Sequence, residues 1–262
     1  IGENETGRFK NFETKNMVSD IAVKDFSFRT YSDIGDVLMN EESVLIDESS
    51  RGVKVVSIRG ARQEEMRFLY DGVPIYHGGR SVMDVSMFNI GSMDHVEVLR
   101  GGNEMFPGSS GIVNFVPSIN YGNSMSLYQR FGTYNTGNFN GDFSLGNDLI
   151  SLNIGNGKSK SVQYYEDIAD ADIIQSYDNN YINIGLRPAV DLELKLFHIK
   201  NNKVFKNYYS LDSSNASNEI STIKVESSSE KYGSIEKMKY WSKNDYIKWL
   251  IQFDVVLKNK EE

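Results

Sequence analysis

Cysteine is absent from this 262-residue chain, and histidine and proline are scarce, with three and four residues. Without cysteine the chain can form neither a disulfide nor a thiolate metal site. The three histidines, His77, His95 and His198, are too scattered to suggest a metal centre. A basic surplus is also missing, since 28 Lys and Arg face 36 Asp and Glu for a net charge of −8. This balance argues against nucleic acid as a partner.

A long hydrophobic run is missing as well. The best candidate, residues 247–257, is interrupted by Lys248, Gln252 and Asp254, whereas a transmembrane helix needs roughly 18 apolar residues in a row. The remaining classes are a soluble protein and a membrane β-barrel, whose strands alternate lipid-facing and lumen-facing side chains and keep the mean hydropathy low. The chain opens with Ile1-Gly2 and no signal segment, so we expect a mature or trimmed sequence.

Motifs of covalent chemistry are missing too. No spacing of serine, histidine and aspartate suggests a nucleophilic triad, and the Gly78-Gly79 and Gly101-Gly102 pairs are not followed by Lys-Ser or Lys-Thr as a phosphate loop would be. The sequence therefore predicts a protein that is not an enzyme.

Three short strand-like runs are present within the first 120 residues. Each places β-branched or apolar residues directly before a charged residue and a glycine, at Arg59-Gly60, Asp71-Gly72 and Arg100-Gly101. Such runs are too short and too rich in β-formers for ordinary helices, and the dipeptides suit turns with positive φ. The pattern predicts a small mixed sheet of about four strands.

In this order, and followed by the glycine-containing run at residues 108–116, these signatures resemble the plug domain of TonB-dependent outer-membrane receptors. The resemblance covers residues 17–116, with 18–23 similar to the first plug strand and 31–39 similar to its short helix. The chain departs from the family pattern at Glu42-Ser43-Val44, which lacks the usual proline. A divergent member of the family fits these residues.

The resemblance implies a mixed fold in two parts. A small α/β plug domain at residues 17–117 follows an N-terminal extension at 1–16, and antiparallel transmembrane β-barrel strands occupy 118–262. It also implies that Arg59 and Arg100 lie on the plug face and bond to acidic groups of the barrel wall as a latch. The alternative for both arginines is a solvated strand end worth under ~1 kcal/mol.

Residues after Pro117 alternate apolar and polar side chains between Asn and Gly turns. The clearest hairpin is predicted at residues 181–198 with a turn at Arg187-Pro188-Ala189, and residues 118–262 hold perhaps eight strands. A plugged transporter has about 22 strands, and eight enclose too little space for a plug. We therefore expect an incomplete barrel, from truncation or from completion by other chains.

Two candidate binding sites lie in loops. The plug apex loops offer the ligand-binding candidates Tyr76, His77, Arg80, Asn103 and Phe106, with a flexible turn of incidental charge as the equal alternative. An acidic loop offers Asp167, Asp170, Asp172 and Asp178 for calcium, a hard cation that takes several oxygen ligands. An ordinary solvated acidic loop is the favoured reading there, so no resident cofactor is expected.

The sequence reading is thus an outer-membrane TonB-dependent transporter of a Gram-negative bacterium that imports a scarce nutrient such as cobalamin or a ferric siderophore. Its implied partners are the TonB-ExbB-ExbD complex, the metal chelate or cobalamin, and outer-membrane lipid. The alternative is a non-transporting, plug-containing β-rich subunit of a larger outer-membrane complex. A reading frame that continues with alternating strands would favour the transporter.

Overall fold

The computed structural model describes residues 18–26, 31, 33–49, 51–75, 83–101, 109–132, 136–163, 173–189, 192–208, 212–229, 233–242 and 250–255. The chain divides into two compact units. Unit 1 comprises Ile1–Ser86 and Met93–Pro117, and unit 2 comprises Met87–Ser92 and Ser118–Glu262. None of the helices in these described ranges is long and apolar enough to cross a membrane.

Unit 1 contains a five-stranded mixed sheet in the order β1-β6-β7-β4-β5. Its strands are β1 (Val18–Ala22), β4 (Met66–Tyr70), β5 (Val73–Pro74), β6 (Met93–Leu99) and β7 (Gly111–Pro117). Only β4 and β7 run parallel. Apolar residues of the three central strands are almost fully buried, including Val96, Val98, Ile112 and Phe115. The predicted mixed sheet is confirmed, with one strand more than the predicted four.

A separate hairpin and a short helix complete unit 1. Strands β2 (Val44–Glu48) and β3 (Lys54–Ile58) pair antiparallel in a two-stranded sheet, and α1 (Ile34–Leu38) precedes them. One-turn 3-10 helices lie at Val23–Phe26 and Gln63–Glu65 in this unit. The predicted strand before Arg59-Gly60 thus forms, but in this hairpin rather than in the main sheet. Strand propensity alone does not choose the pairing partner.

Two of the three predicted turns have the expected backbone. Arg59 and Gly60 have φ of 52° and 76°, and Asp71 and Gly72 have φ of 48° and 77°. Two successive residues with positive φ are typical of the type I′ turn that joins antiparallel strands, and Asp71-Gly72 joins β4 to β5 in this way. The charged residue of each pair therefore occupies a left-handed position itself.

Unit 2 is an eight-stranded antiparallel sheet in which each strand pairs with its neighbours in sequence. Its strands are β8 (Ser124–Phe131), β9 (Gly137–Gly146), β10 (Ile150–Gln163), β11 (Ile173–Ala189), β12 (Leu192–Asn207), β13 (Asp212–Ser229), β14 (Gly233–Ser242) and β15 (Leu250–Val255). Strands β8 and β15 stand at the two ends of this order, so the described sheet is an open one. The prediction of about eight barrel-like strands and an incomplete barrel is confirmed.

The predicted hairpin needs one correction. Arg187, Pro188 and Ala189 belong to the end of β11, where the pairing with β12 shifts register between Leu186 and Ala189. They form an irregular strand end rather than the turn, because proline there only removes one ladder hydrogen bond at a bulge. Strands β11 and β12 have 17 and 16 residues and are longer than the predicted hairpin at 181–198 allows, and β10 has 14 residues.

The two faces of the sheet in unit 2 differ in polarity. One face buries many polar side chains beside the apolar Phe197, Ile199 and Ile220 of β12 and β13; the polar ones include Asn140, Ser151, Asn153, Asn183, Asn201 and Thr222. Apolar side chains are exposed on the other, among them Met125, Leu127, Phe139, Phe143, Leu145, Ile154 and Ile182. A water-soluble sandwich strand buries its apolar face. Apolar outside and polar inside is the pattern of a membrane barrel.

Candidate functional site

A buried charge cluster connects α1 to the hairpin in unit 1. The Lys54 ammonium donates to Asp33 at 2.9 Å and also contacts Asp36. The Lys54 backbone N–H donates to Asp84 Oδ1 at 3.1 Å. Burial raises the pKa of Asp33 to about 6 against the opposing attraction of Lys54. Burial alone would lower the pKa of Lys54, but the two carboxylates outweigh it and hold that pKa above its usual value.

A second ionic contact joins three distant segments of unit 1. Arg100, just after β6, donates from Nη2 to Glu41 Oε1 and to Ser19 Oγ, both at 2.6 Å. Burial would raise the pKa of Glu41, but the hydrogen bonds from Arg100 and other side chains lower it below its usual value. This contact links β1, the turn before β2 and the end of β6.

A third polar group lies within the central strands of unit 1. Asn114 donates to Glu97 at 2.7 Å and accepts from the Gly72 N–H at 2.8 Å, and all three residues are buried. His95 lies 3.0 Å from Asp94 Oδ2 and 3.8 Å from Glu97 Oε1. Burial would lower the pKa of His95, but its contacts with Asp94 and Glu97 raise it to about 9. The imidazole is therefore positively charged at neutral pH.

In unit 2, the polar face of the sheet receives the segment Met87–Ser92. Asn89 donates to Asn140 at 3.0 Å, and the Tyr181 hydroxyl lies 3.0 Å from the Gly91 carbonyl oxygen and 2.7 Å from Asp142 Oδ1. Gly157 allows Asn89 to lie this close to the sheet. A Cβ at Gly157 would lie 1.9 Å from Asn89 Nδ2, which is far inside van der Waals contact.

The same face also receives residues 118–123. Asn183 donates to the Ser118 carbonyl at 2.9 Å, and the Asn120 backbone is held on both sides by Asn153 and Ser151. The Tyr121 hydroxyl donates to Glu193 at 2.7 Å. The Arg187 guanidinium lies 3.7 Å from the centre of the Tyr121 ring, a cation–π distance. Strands β10 to β12 therefore all contribute to this attachment.

The predicted latch residues differ in environment. Arg59 is exposed at its turn, whereas Arg100 is partly buried against Glu41 and Ser19 of its own unit. Neither observation tests a contact with a wall carboxylate, so that part of the latch stays a prediction. The Glu41 partner is an addition that the sequence did not suggest.

The predicted binding loops lie mostly outside the described residues. This holds for the apex candidates Tyr76, His77, Arg80, Asn103 and Phe106, and for Asp167, Asp170 and Asp172 of the acidic loop. Asp178 is described on β11, where it accepts from Asn156 and lies 3.7 Å from Lys158. Within the described ranges, no group of three acidic or histidine side chains could hold a metal ion.

The sequence reading missed the residues that hold Met87–Ser92 and residues 118–123 on the sheet. A sequence pattern that could have predicted them lies on β11, where Tyr181, Asn183 and Gly185 alternate with Ile182 and Ile184. A buried strand face that carries Asn and Gly instead of apolar residues predicts close, hydrogen-bonded contact with another backbone.

Comparison with known proteins gives a match for the first part of the chain. A family model described as the TonB-dependent receptor plug domain matches residues 10–113. A search of curated proteins found no match.

Solved structures of similar fold cover most of the chain. A mutant of the ferric enterobactin receptor of Pseudomonas aeruginosa has a TM-score of 0.65 at 15% identity over 87% of this chain. The copper transporter OprC has a TM-score of 0.73 at 17% identity over 86%. The siderophore receptor PirA of Acinetobacter baumannii has a TM-score of 0.68 at 15% identity over 92%. The match spans only 41%, 38% and 41% of those three chains, respectively.

Proposed function

We propose that this chain, whose residues 10–113 are a TonB-dependent receptor plug domain, belongs to an outer-membrane transporter that imports a scarce metal-containing nutrient. The observation that carries the proposal is the reversed polarity of the strands that follow the plug. Exposed apolar residues such as Phe143 and Ile154 suit lipid, and buried Asn153 and Asn183 suit the polar interior of a membrane barrel. A β-rich binding protein in water would lack this reversal.

The proposed mechanism needs no covalent chemistry from this chain. The ligand binds on the extracellular side, and TonB pulls on the periplasmic side and displaces part of the plug. The energy comes from the inner-membrane proton gradient through the TonB-ExbB-ExbD complex. Contacts such as that of Arg100 with Glu41 and Ser19 link distant segments of unit 1 and would have to break wherever the plug is displaced.

For the substrate we favour a ferric siderophore. Two of the similar structures are named as ferric enterobactin or siderophore receptors, and a third is named as a copper transporter. None of these three names includes cobalamin. The test is uptake of radiolabelled ferric enterobactin, copper and cobalamin by cells with and without the gene. Loss of uptake of one compound identifies the substrate, and surface binding without uptake would favour the non-transporting alternative.

We keep the apex loops as the proposed ligand site. Arg80 offers a bidentate fork for carboxylate or phosphate oxygens, and Tyr76 and Phe106 offer stacking faces. Arg80→Ala should weaken ligand binding at least tenfold. Arg62→Ala is the matched control, since Arg62 is an exposed arginine that pairs with Glu65. Equal affinities of the two variants would remove Arg80 from the site.

The acidic loop remains a proposal for weak calcium binding at most. Asp178 already shares its carboxylate with Asn156 and Asn180 on β11, which leaves it less available to a cation. Ligand affinity measured with chelator and with millimolar calcium decides the question. Identical affinities would eliminate a functional calcium site.

A further inference from the structure

We propose that a row of buried asparagines on the polar face of unit 2 sets the register in which strands β9 to β13 pair, and that Asn89 completes this row. We call it the asparagine row, and its members on the strands are Asn140, Asn179, Asn201 and Asn218. The inference concerns the assembly of the sheet, so it goes beyond the proposed transport function and does not depend on it.

The members of the asparagine row stand directly opposite one another across the sheet. Asn140 on β9 pairs with Gly157 on β10, and Gly157 pairs with Asn179 on β11. Asn179 pairs with Asn201 on β12, and Asn201 pairs with Asn218 on β13. All four asparagine side chains are buried. One level of the sheet therefore carries a buried amide on every strand from β9 to β13 except β10.

Asn89 fills the gap that β10 leaves in the row. Gly157 has no side chain, and a Cβ there would overlap both Asn89 Nδ2 and Asn140 Oδ1. The Asn89 side chain is buried as well, and its amide donates to Asn140 Oδ1 at 3.0 Å. Asn89 lies in Met87–Ser92, which belongs to the same unit as the strands. The segment thus supplies the amide that β10 lacks.

The apolar face of the sheet cannot set the register alone. A slip of one residue would turn every apolar side chain of a strand to the polar face, but a slip of two residues keeps each side chain on its own face. Ile184, which lies opposite Leu196, would then face Leu194, and one aliphatic contact would replace another. A tight turn also fixes register, but the connection between β10 and β11, residues 164–172, is too long for one.

The asparagine row makes the slipped sheets unfavourable. In the observed register the Asn201 amide donates to Asn179 Oδ1. A slip of two residues would place Asn201 opposite Tyr177 or Tyr181 and break this amide pair. A buried amide that loses its partner carries the full cost of its desolvation, whereas replacing both partners by apolar groups can leave stability nearly unchanged. A single buried asparagine specifies the register of a coiled coil for the same reason.

Engineered disulfides report the register, since the chain has no cysteine of its own. Ile184 and Leu196 are opposite in the observed register, whereas a slip of two residues would bring Ile184 opposite Leu194 or His198. Pair geometry alternates from one residue to the next, so the slipped pairs have the same geometry as the observed one. In the whole protein, folded in cells and then oxidised, the Ile184→Cys and Leu196→Cys pair should crosslink at least tenfold more than either slipped pair.

The row variant replaces both Asn179 and Asn201 by leucine. It should fold but lose the preference, so that a slipped pair crosslinks within about threefold of the observed pair. The matched control, Asn180→Leu with Asn202→Leu, makes the same changes on the other face of the same two strands and should keep the tenfold preference. An unchanged preference in the row variant, or an equal loss in the control, would overturn the proposal.

A row variant that does not fold is replaced by Asn179→Ser with Asn201→Ser, whose side chains are too short to pair as the two amides do. The same loss of preference is expected. Failure of both row variants to fold beside a folded control would also overturn the proposal, because it would assign the row to stability rather than to the choice of register.

Asn89→Ala tests the residue that completes the row, with Asn89→Ser in its place if the alanine variant does not fold. Ile154 and Ile182 lie opposite each other on β10 and β11, and their preference over pairs shifted by two residues should fall at least threefold. The Leu196 and Ile223 pair on β12 and β13 should keep its preference. An unchanged preference between β10 and β11, or an equal loss between β12 and β13, would remove Asn89 from the row.

Discussion

Buried and partly buried polar side chains connect distant parts of the sequence within unit 1. Lys54 with Asp33, Arg100 with Glu41, and Asn114 with Glu97 are three such contacts. No local sequence pattern reveals them, because their partners are separated by 17 to 59 residues. The sequence singled out Arg100 but did not predict its Glu41 partner, and a contact between Arg100 and a wall carboxylate stays a prediction.

Arg100→Ala should destabilise unit 1 by ~1–3 kcal/mol. The Arg100 and Glu41 side chains are 25% and 12% exposed, so the pair lies between exposed pairs worth ~0–1 kcal/mol and buried ones that cost ~3–5 kcal/mol to break. Amide exchange in unit 1 provides the measurement. Arg62→Ala is the control. Arg62 is 80% exposed and pairs with Glu65, so its removal should change amide exchange little.

Arg59→Ala tests the latch prediction for Arg59. If Arg59 pairs with a wall carboxylate in the whole protein, its removal should speed exchange in residues 17–116 and raise the leak of small solutes, with ligand binding nearly intact. Unchanged exchange and leak would identify Arg59 as an ordinary charge at an exposed turn.

His95 should make unit 1 less stable at alkaline pH. Its pKa is about 9 in the fold and 6.5 for the ordinary side chain, so the folded state holds the proton more tightly. The resulting stabilisation is complete below pH 6.5 and is lost as the pH rises to about 9, with a slope of up to ~1.4 kcal/mol per pH unit. Free energies of unfolding across this window should fall for the parent and stay flatter for His95→Gln. Parallel curves would contradict the assignment.

At the scale of elements, the short sequence signatures predict that strands form at these positions. They do not predict which strands pair with each other. The strands before Asp71-Gly72 and Arg100-Gly101 join the main sheet, whereas the strand before Arg59-Gly60 pairs with β2. Hydrophobic alternation specifies which face of a strand is buried, and it leaves the partner to long-range packing. The proline-containing Arg187-Pro188-Ala189 predicts a turn, but it ends β11 where the pairing with β12 shifts register, a position that tolerates proline.

Gly72 should not tolerate a side chain. Its φ of 77° is a left-handed conformation that glycine adopts without strain and a β-branched residue does not. Gly72→Val should therefore destabilise unit 1 by ~1–3 kcal/mol, measured by thermal or denaturant unfolding. Ala61→Val, at a neighbouring partly exposed position without positive φ, is the control. A cost no larger than that of the control would contradict the turn geometry.

The reversed polarity of unit 2 predicts opposite tolerance on its two faces. Phe143 is exposed on the apolar face, and a lysine there should cost ~2–4 kcal/mol in a bilayer. Ser126 lies on the polar face and donates to Asp142, so Ser126→Lys should be tolerated. Folding into lipid vesicles measures both. Equal effects of the two variants would contradict the membrane orientation of the sheet.

For the whole molecule, the sequence sufficed to identify the plug family and to expect an unfinished barrel, and both are confirmed. It could not reveal that a stretch of the plug sequence, Met87–Ser92, belongs to the strand unit. That assignment depends on contacts at Gly157 and Asn183, which lie on strands far along the chain. The candidate ligand-binding residues of the apex loops lie outside the described ranges, so the roles of these residues remain proposals.

The central claim is that this chain belongs to a transporter driven by TonB, and uptake in matched cells with and without functional TonB tests it most directly. We predict equal surface binding of ferric enterobactin in both cells and uptake only in the cells with TonB. Uptake that continues at the same rate without TonB, or binding that is never followed by uptake in either cell, would contradict the account.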